Sequence, residues 1–454
     1  MNAVLAQDLQ DSTVGSARRR MSIAILALTS MLAFESIGVT TAMPAVAAAL
    51  GGISLYALAF AATLATSVVG MVAADMWCDR HGSRVCLQAG MLLFGGGLLA
   101  AGLADSMGWL VGGRALQGLG SGMLSVAIYV AIGRLYPAAS RPRMFALLAA
   151  AWVLPAIVGP SLAGVLVDAF SWRSIFLSAL LLLLPTALLL RSALQQLQPP
   201  GSSASAVRGS RSRLWLALAA AAAALLVNLA SAPSGIGRAW LLLAIPALAL
   251  ATRGLLPAGA LRAARGIPSV VALRGLLASS FLAAEVFMPL WLTERHGWSL
   301  SAAGLALSAG ALLWSAGSWM QSRITAPERR LHVLRTGFVV VAVGIGMVAA
   351  TAWLEPLPPL PALLGWSLAG LGIGMAFPGL SVLLLALSPI DRQGSHASSL
   401  QLSDALCSTS LLALCGIGFA TLHATAPAAA FVAVFALAAG LAALGGAISG
   451  RTVP

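Results

Sequence analysis

The sequence predicts an all-α polytopic membrane protein, and three observations carry that prediction. The 454 residues are 59% hydrophobic and 9% charged, with a mean hydropathy of +0.95, where a soluble domain carries roughly 25% charged residues. The apolar residues gather into fourteen runs, most of them near the ~20 residues a helix needs to cross a bilayer. The charge is one-sided: 26 basic residues, all arginine, stand against 13 acids, giving a net charge of +13. In a soluble protein that excess would suggest nucleic acid. Here the arginines fall in short loops between apolar runs, where they set topology, and no nucleic-acid partner is expected.

Residues 1–20 are polar and end in Arg18, Arg19 and Arg20. The apolar stretch after them is too long for a signal-peptide core, so they are expected to stay as a cytoplasmic tail. The spans follow at 21–46, 53–75, 85–104, 108–132, 144–167, 174–191, 213–231, 239–256, 269–292, 299–322, 336–354, 361–388, 396–422 and 427–449. With an even count, 21 arginines share one side, three (Arg173, Arg238, Arg295) lie opposite, and two (Arg114, Arg274) lie within spans. The positive-inside rule makes the rich side the cytoplasm, with both termini on it. Span seven is alanine-rich and carries Asn228, and span eight is short and contains Pro246, so twelve spans is the alternative count. Thirteen would put the Arg323–Arg335 cluster outside.

The stretch Ser192–Arg213, with Pro199, Pro200 and Gly201, reads as a flexible cytoplasmic linker. The expected layout is therefore a tail (1–20), a six-helix bundle (21–191), a linker (192–212), two extra helices with their connection (213–268), a second six-helix bundle (269–449) and a short tail (450–454). The halves look related. Met43-Pro44 resembles Met288-Pro289, and Pro44 precedes Arg80 by 36 residues where Pro289 precedes Arg323 by 34. Repeats packed face to face about a midplane site are the common build of secondary transporters.

Span one is otherwise apolar around a single acid, Glu35, some 20 Å along a helix rising ~1.5 Å per residue. An exposed carboxylate there costs several kcal/mol, so Glu35 must face protein or water. It either hydrogen-bonds a neighbouring helix or takes up and releases a proton.

The loop after span two reads Asp75-Met76-Trp77-Cys78-Asp79-Arg80-His81-Gly82-Ser83-Arg84. Gly82 permits a tight reverse turn, and the acid and two cations can pair across it; an ordinary charged hairpin is the plainer reading. The segment resembles the signature loop of the major facilitator superfamily, G-x-x-x-D-R-x-G-x-[RK], at Asp79, Arg80, Gly82 and Arg84, with Asp75 in place of the leading glycine. Span four contains Arg114-Ala115-Leu116-Gln117-Gly118-Leu119-Gly120-Ser121-Gly122, similar to that superfamily's R-x-x-Q-G-x-G-x-[GA] element. Its arginine needs a carboxylate or a watery cavity, and its glycines allow close helix contact. Span five, Pro155 to Gly164, resembles the antiporter element G-x-x-x-G-P-x-x-G-G at Gly159, Pro160 and Gly164, with Pro155 and Ala163 replacing two glycines. Such a helix can bend against its neighbour. Glu35 lies nine residues before Pro44, a spacing that resembles the acid of the fourteen-helix drug:proton antiporter branch, where aspartate is usual.

The resemblance implies a major facilitator fold of two six-helix bundles plus two central helices, working by alternating access in a bacterial inner membrane. It implies proton-coupled export of lipophilic small molecules, cationic ones among the candidates. Glu35, with Arg114 as counter-charge, and Asp404 are the proton-coupling candidates. Glu285 lies four residues before Pro289 and so nearer the exterior than Glu35. It is the candidate for recognising substrate, and Met31, Phe34, Phe281, Phe287 and Trp291 are candidates for an adaptable apolar cavity. Asp404, among Ser403, Ser408 and Thr409, reads equally as a hydrogen-bonded structural acid.

The remaining chemistry is thin. The five histidines form no metal-spaced pair, the four cysteines suggest no exterior disulfide, and no P-loop, dinucleotide fingerprint or Ser-His-Asp pattern occurs. The expectation is a monomer in membrane lipid that is not an enzyme and needs no cofactor, its partners being a small-molecule substrate and protons. Export of an endogenous metabolite, siderophore or sugar is the alternative. A membrane-embedded enzyme, which would need a ligand or nucleophile cluster at one face, is the distant one.

Overall fold

The computed structural model describes residues 2–136, 141–194, 210–229, 235–324, 327–354, 357–389 and 392–452. Among them the regular structure is helical throughout, with fourteen α-helices: α1 (Asn2–Ala49), α2 (Tyr56–Gly102), α3 (Met107–Leu135), α4 (Arg141–Ala150), α5 (Val153–Ala169), α6 (Arg173–Leu194), α7 (Ser210–Leu229), α8 (Gly235–Leu255), α9 (Ile267–His296), α10 (Leu300–Ser322), α11 (Pro327–Trp353), α12 (Leu360–Leu387), α13 (Gln393–Leu422) and α14 (Pro427–Ile448). Eleven described segments are long and apolar enough to cross a membrane. In hydrocarbon every backbone N–H and C=O must be paired internally, which is why such a composition folds into helices.

Three elements differ from the sequence reading or sharpen it. The polar stretch expected as a tail is helical from Asn2 and continuous with the first span. The second and third spans form one element, α2, interrupted at Gly82, whose φ of 82° and ψ of 160° are the single non-helical pair inside it; the turn falls at the glycine because a side chain is disfavoured at that φ. The fifth span is two helices, α4 and α5, broken at Ala151 and Trp152. Pro155 explains the position, since it has no N–H to give the Ala151 carbonyl four residues back. The Ser30 hydroxyl of α1 donates to that carbonyl instead, at 2.9 Å. The Ser192–Arg213 linker falls largely outside the described residues.

Helices α1 to α6 pack together, chiefly α2 on α3 and α1 on α5 and α6; α9 to α14 do likewise, with α9 touching α10, α12, α13 and α14. Between the two sets, α5 lies along α10, α2 along α13, and α1 meets α9 and α10. Helix α7 pairs with α8 and rests on both α2 and α13. Lipid gives helices no hydrophobic reason to associate, so close backbone approach at small residues has to hold them. At Gly122 a methyl group would meet the Ser67 carbonyl of α2, and at Gly164 it would come within 2.5 Å of Ser301 Cα in α10. We call the end of the molecule at which α1 finishes the distal face; α2 begins there and α9 ends there.

Candidate functional site

Glu35 and Arg114 meet. Arg114 and Gln117 are three residues apart on α3 and so share one helix face, which the glycines of the same stretch press against α2 and towards α1. Arg114 Nη1 donates to Glu35 Oε1 at 2.5 Å, and Gln117 Nε2 donates to the same oxygen at 3.1 Å. Arg114 Nη1 also reaches Gln117 Oε1 at 3.1 Å, and its Nε reaches the Ala59 carbonyl of α2 at 3.4 Å. Both charged side chains are 5% exposed. All described bonds to the carboxylate end on Oε1, and among the described residues Oε2 accepts none. A charge pair this deep persists because each partner is hydrogen-bonded as well as neutralised. The arrangement holds an ionised acid deep in the helix bundle with its counter-charge and a second donor beside it.

A second pair, which sequence reasoning missed, gives Asp404 its partner. Arg274 Nε on α9 donates to Asp404 Oδ1 at 3.1 Å and Oδ2 at 3.0 Å on α13. Its Nη1 donates to the Phe377 carbonyl at 3.2 Å and Ser381 Oγ at 2.8 Å on α12, and its guanidinium lies 3.2 Å from the Phe377 ring centroid. Tyr129 of α3 lies beside Gln401 of α13 next to this cluster, where the two helix sets meet. The one signal for Arg274 in the sequence was its place inside an apolar run; 130 residues separate it from Asp404.

Glu285 lies apart from both pairs. Most of α9 is buried, but Arg274, Ala278, Leu282 and Glu285 are half-buried and follow one another at helical spacing, so they line one stripe. Among the described residues Glu285 has no hydrogen-bond or ion-pair partner. One turn back, Phe281 stacks on Trp366 with centroids 4.6 Å apart and meets Trp314 edge-on at 5.3 Å, and Trp314 continues to Phe377 at 5.7 Å.

The other candidates are placed as follows. Met31 is buried, and Phe34 is half-buried facing Gly159. Phe287 and Trp291 are enclosed, Phe287 between Tyr56 and Phe419 and Trp291 beside His296 and Phe435. In this state they are packing near the distal face and not an open wall. In the α2 turn, Arg80 and Arg84 are exposed and the side chain of Asp79 lies outside the described residues. Pro155, Gly159, Pro160 and Gly164 are all buried on α5.

Paired helix sets, an intramembrane acid held by arginine, and a half-buried stripe whose acid has no partner among the described residues define a polytopic membrane transporter. The chain matches the Major Facilitator Superfamily over residues 23–408 and belongs to that family. It is similar to a probable multidrug-efflux transporter of Mycobacterium tuberculosis, 28% identical over 75% of this chain and 74% of the relative. A multidrug transporter protein of Bacillus subtilis is 30% identical over 30% of this chain and 26% of its own. In fold the chain is similar to a solved peptide transporter POT in complex with sulfate (TM-score 0.68, 15% identity, 95% of this chain and 93% of the other). It is likewise similar to the POT family transporter PepTSo (TM-score 0.71, 13% identity, 95% and 97%). At these identities the structures speak to the fold alone.

Proposed function

We propose that this transporter is a proton-coupled antiporter that exports lipophilic small molecules, cationic compounds among them, by alternating access. The observation that carries the reading is the Glu35 carboxylate in the middle of a membrane helix: one oxygen is held by Arg114 and Gln117, and the other accepts no described bond. A proton can then arrive at Oε2 while Arg114 keeps the deprotonated form tolerable between visits. Multidrug-efflux relatives support the cargo class. Glu285, with no ion-pair partner among the described residues and Phe281 one turn away, supports recognition of a cationic substrate. Arg274 and Asp404 are a second charge-bearing pair on the path and a second proton-coupling candidate.

In this reading fourteen spans cross a bacterial inner membrane, in two bundles of six with α7 and α8 between them. The termini are cytoplasmic, the distal face is exterior, and the protein works as a monomer. The pairing of α7 with α8 as a hairpin supports an even count, since both or neither must cross. The turn at Gly82 and the helix from Pro155 to Gly164 act in the switch between states. The test is Glu35→Gln in proteoliposomes: the neutral amide keeps the shape and cannot carry the proton, so export driven by a pH gradient should fall at least tenfold while expression and folding persist. Full gradient-driven export by the purified variant would refute proton coupling at this residue.

A further inference from the structure

We propose that Asp168 is a latch between the two helix sets on the distal face, and that this contact must break before the path opens there. Asp168 stands on the last turn of α5, with Ser301 on the first turn of α10. Asp168 Oδ2 accepts the Ser301 backbone N–H at 3.3 Å and also accepts the Ser301 hydroxyl. The carboxylate thus caps a helix of the other set, where free backbone N–H groups and the positive end of the helix dipole favour an anion. Helix α10 already has a cap of its own, as Ser299 Oγ accepts the Ala302 N–H at 3.2 Å. Asp168 is therefore not needed to start the helix, and its bond serves the junction.

The rest of the seam makes that bond the outermost of a series. At Gly164, one turn inward, an added methyl would lie 2.6 Å from Ser301 N and 2.7 Å from the Leu300 carbonyl oxygen. At Gly304 it would strike the Pro160 carbonyl, and further in Ser161 Oγ and Ser308 Oγ are 3.2 Å apart. Backbones in direct contact slide or separate as units. The last contact on the water side is then the one whose rupture lets the seam part. On the same face the Tyr56 hydroxyl of α2 donates to the Val286 carbonyl of α9 at 2.8 Å, so a second bond crosses between the sets and Asp168 carries a share of the closure. The latch holds whatever the cargo and the driving ion, so its failure and the failure of proton coupling are separate results.

The test is hydrogen–deuterium exchange on the full chain in lipid nanodiscs, comparing wild type with Asp168→Ala and Ser301→Ala. Losing the latch should raise exchange roughly five- to tenfold at the distal ends of α5 and α10, as expected for a partly solvated charged hydrogen bond. Alternating access further requires slower exchange at the opposite face, around Tyr129 and Gln401, as the population moves. Ser301→Ala, which keeps the backbone bond, should shift both in the same directions by less. Unchanged exchange at the distal ends, or a rise at both faces that reports loosened packing, would overturn the proposal.

Discussion

Arg274 and Asp404 need each other more than either contributes alone. Removing one partner of a fully buried pair costs roughly 3–5 kcal/mol, because the other charge is stranded. Asp404 keeps 23% side-chain exposure, so Arg274→Leu should cost less, about 2–3 kcal/mol. Arg274→Leu with Asp404→Leu should recover much of the loss, and thermal unfolding of the two singles and the double in detergent checks the cycle. Glu285 presents the opposite case, a carboxyl with no ion-pair partner among the described residues. Glu285→Gln should reduce export of a cationic compound several-fold more than that of a neutral one of similar size; paired transport assays decide it, and a uniform loss would refute the role. Glu35 was legible in the sequence because one acid in an apolar run is costly wherever it points. The Arg274–Asp404 pairing was not, since spacing along a chain carries no information about partners on helices 130 residues apart. Gln117 stood in plain view within its motif, yet its bond to Glu35 depends on how α3 is rotated against α1.

Turns and breaks set how the helices can move. Gly82 holds a φ of 82°, where a β-branched residue is strained, so Gly82→Val must distort the α2 turn or refold it. Maximal transport rate should fall severalfold with the half-saturating substrate concentration little changed; altered affinity at an unchanged rate would contradict a role in switching. The glycine could be read from sequence because its chemistry dictates the turn. The break in the fifth span was also written there, in the absent N–H of Pro155, but Ser30 completes it from another helix and could not be foreseen. Pro155→Ala supplies a backbone N–H that can replace Ser30 as donor to the Ala151 carbonyl. It should fuse α4 with α5, raise the melting temperature by a few degrees and slow turnover, measured on the same preparation.

Hydropathy made the eleven described segments that are long and apolar enough to cross a membrane readable in the sequence, because the bilayer sets the apolar length of a span. It could not place α7, whose alanine-rich surface suits many neighbours and which in fact rests on α2 and α13, one from each helix set. If α7 and α8 both cross, a small tag inserted within 230–234 should be reached by an impermeant reagent only from outside the cell. One inserted within 195–209 should be reached only from the cytoplasm. The same side for both tags would leave twelve spans. The break at Ala151 has a further consequence at this scale. A stiff rod pivoting at its middle must swing its two ends in opposite senses, so one entrance opens at the moment the other shuts. A rod with a joint is free of that rule: α5 can stay clamped to α10 while α4 swings with α1, to which Ser30 tethers the joint. Both entrances can then be shut at once, and whether the path ever stands open at both ends is decided by the order in which its parts move and not by their speed.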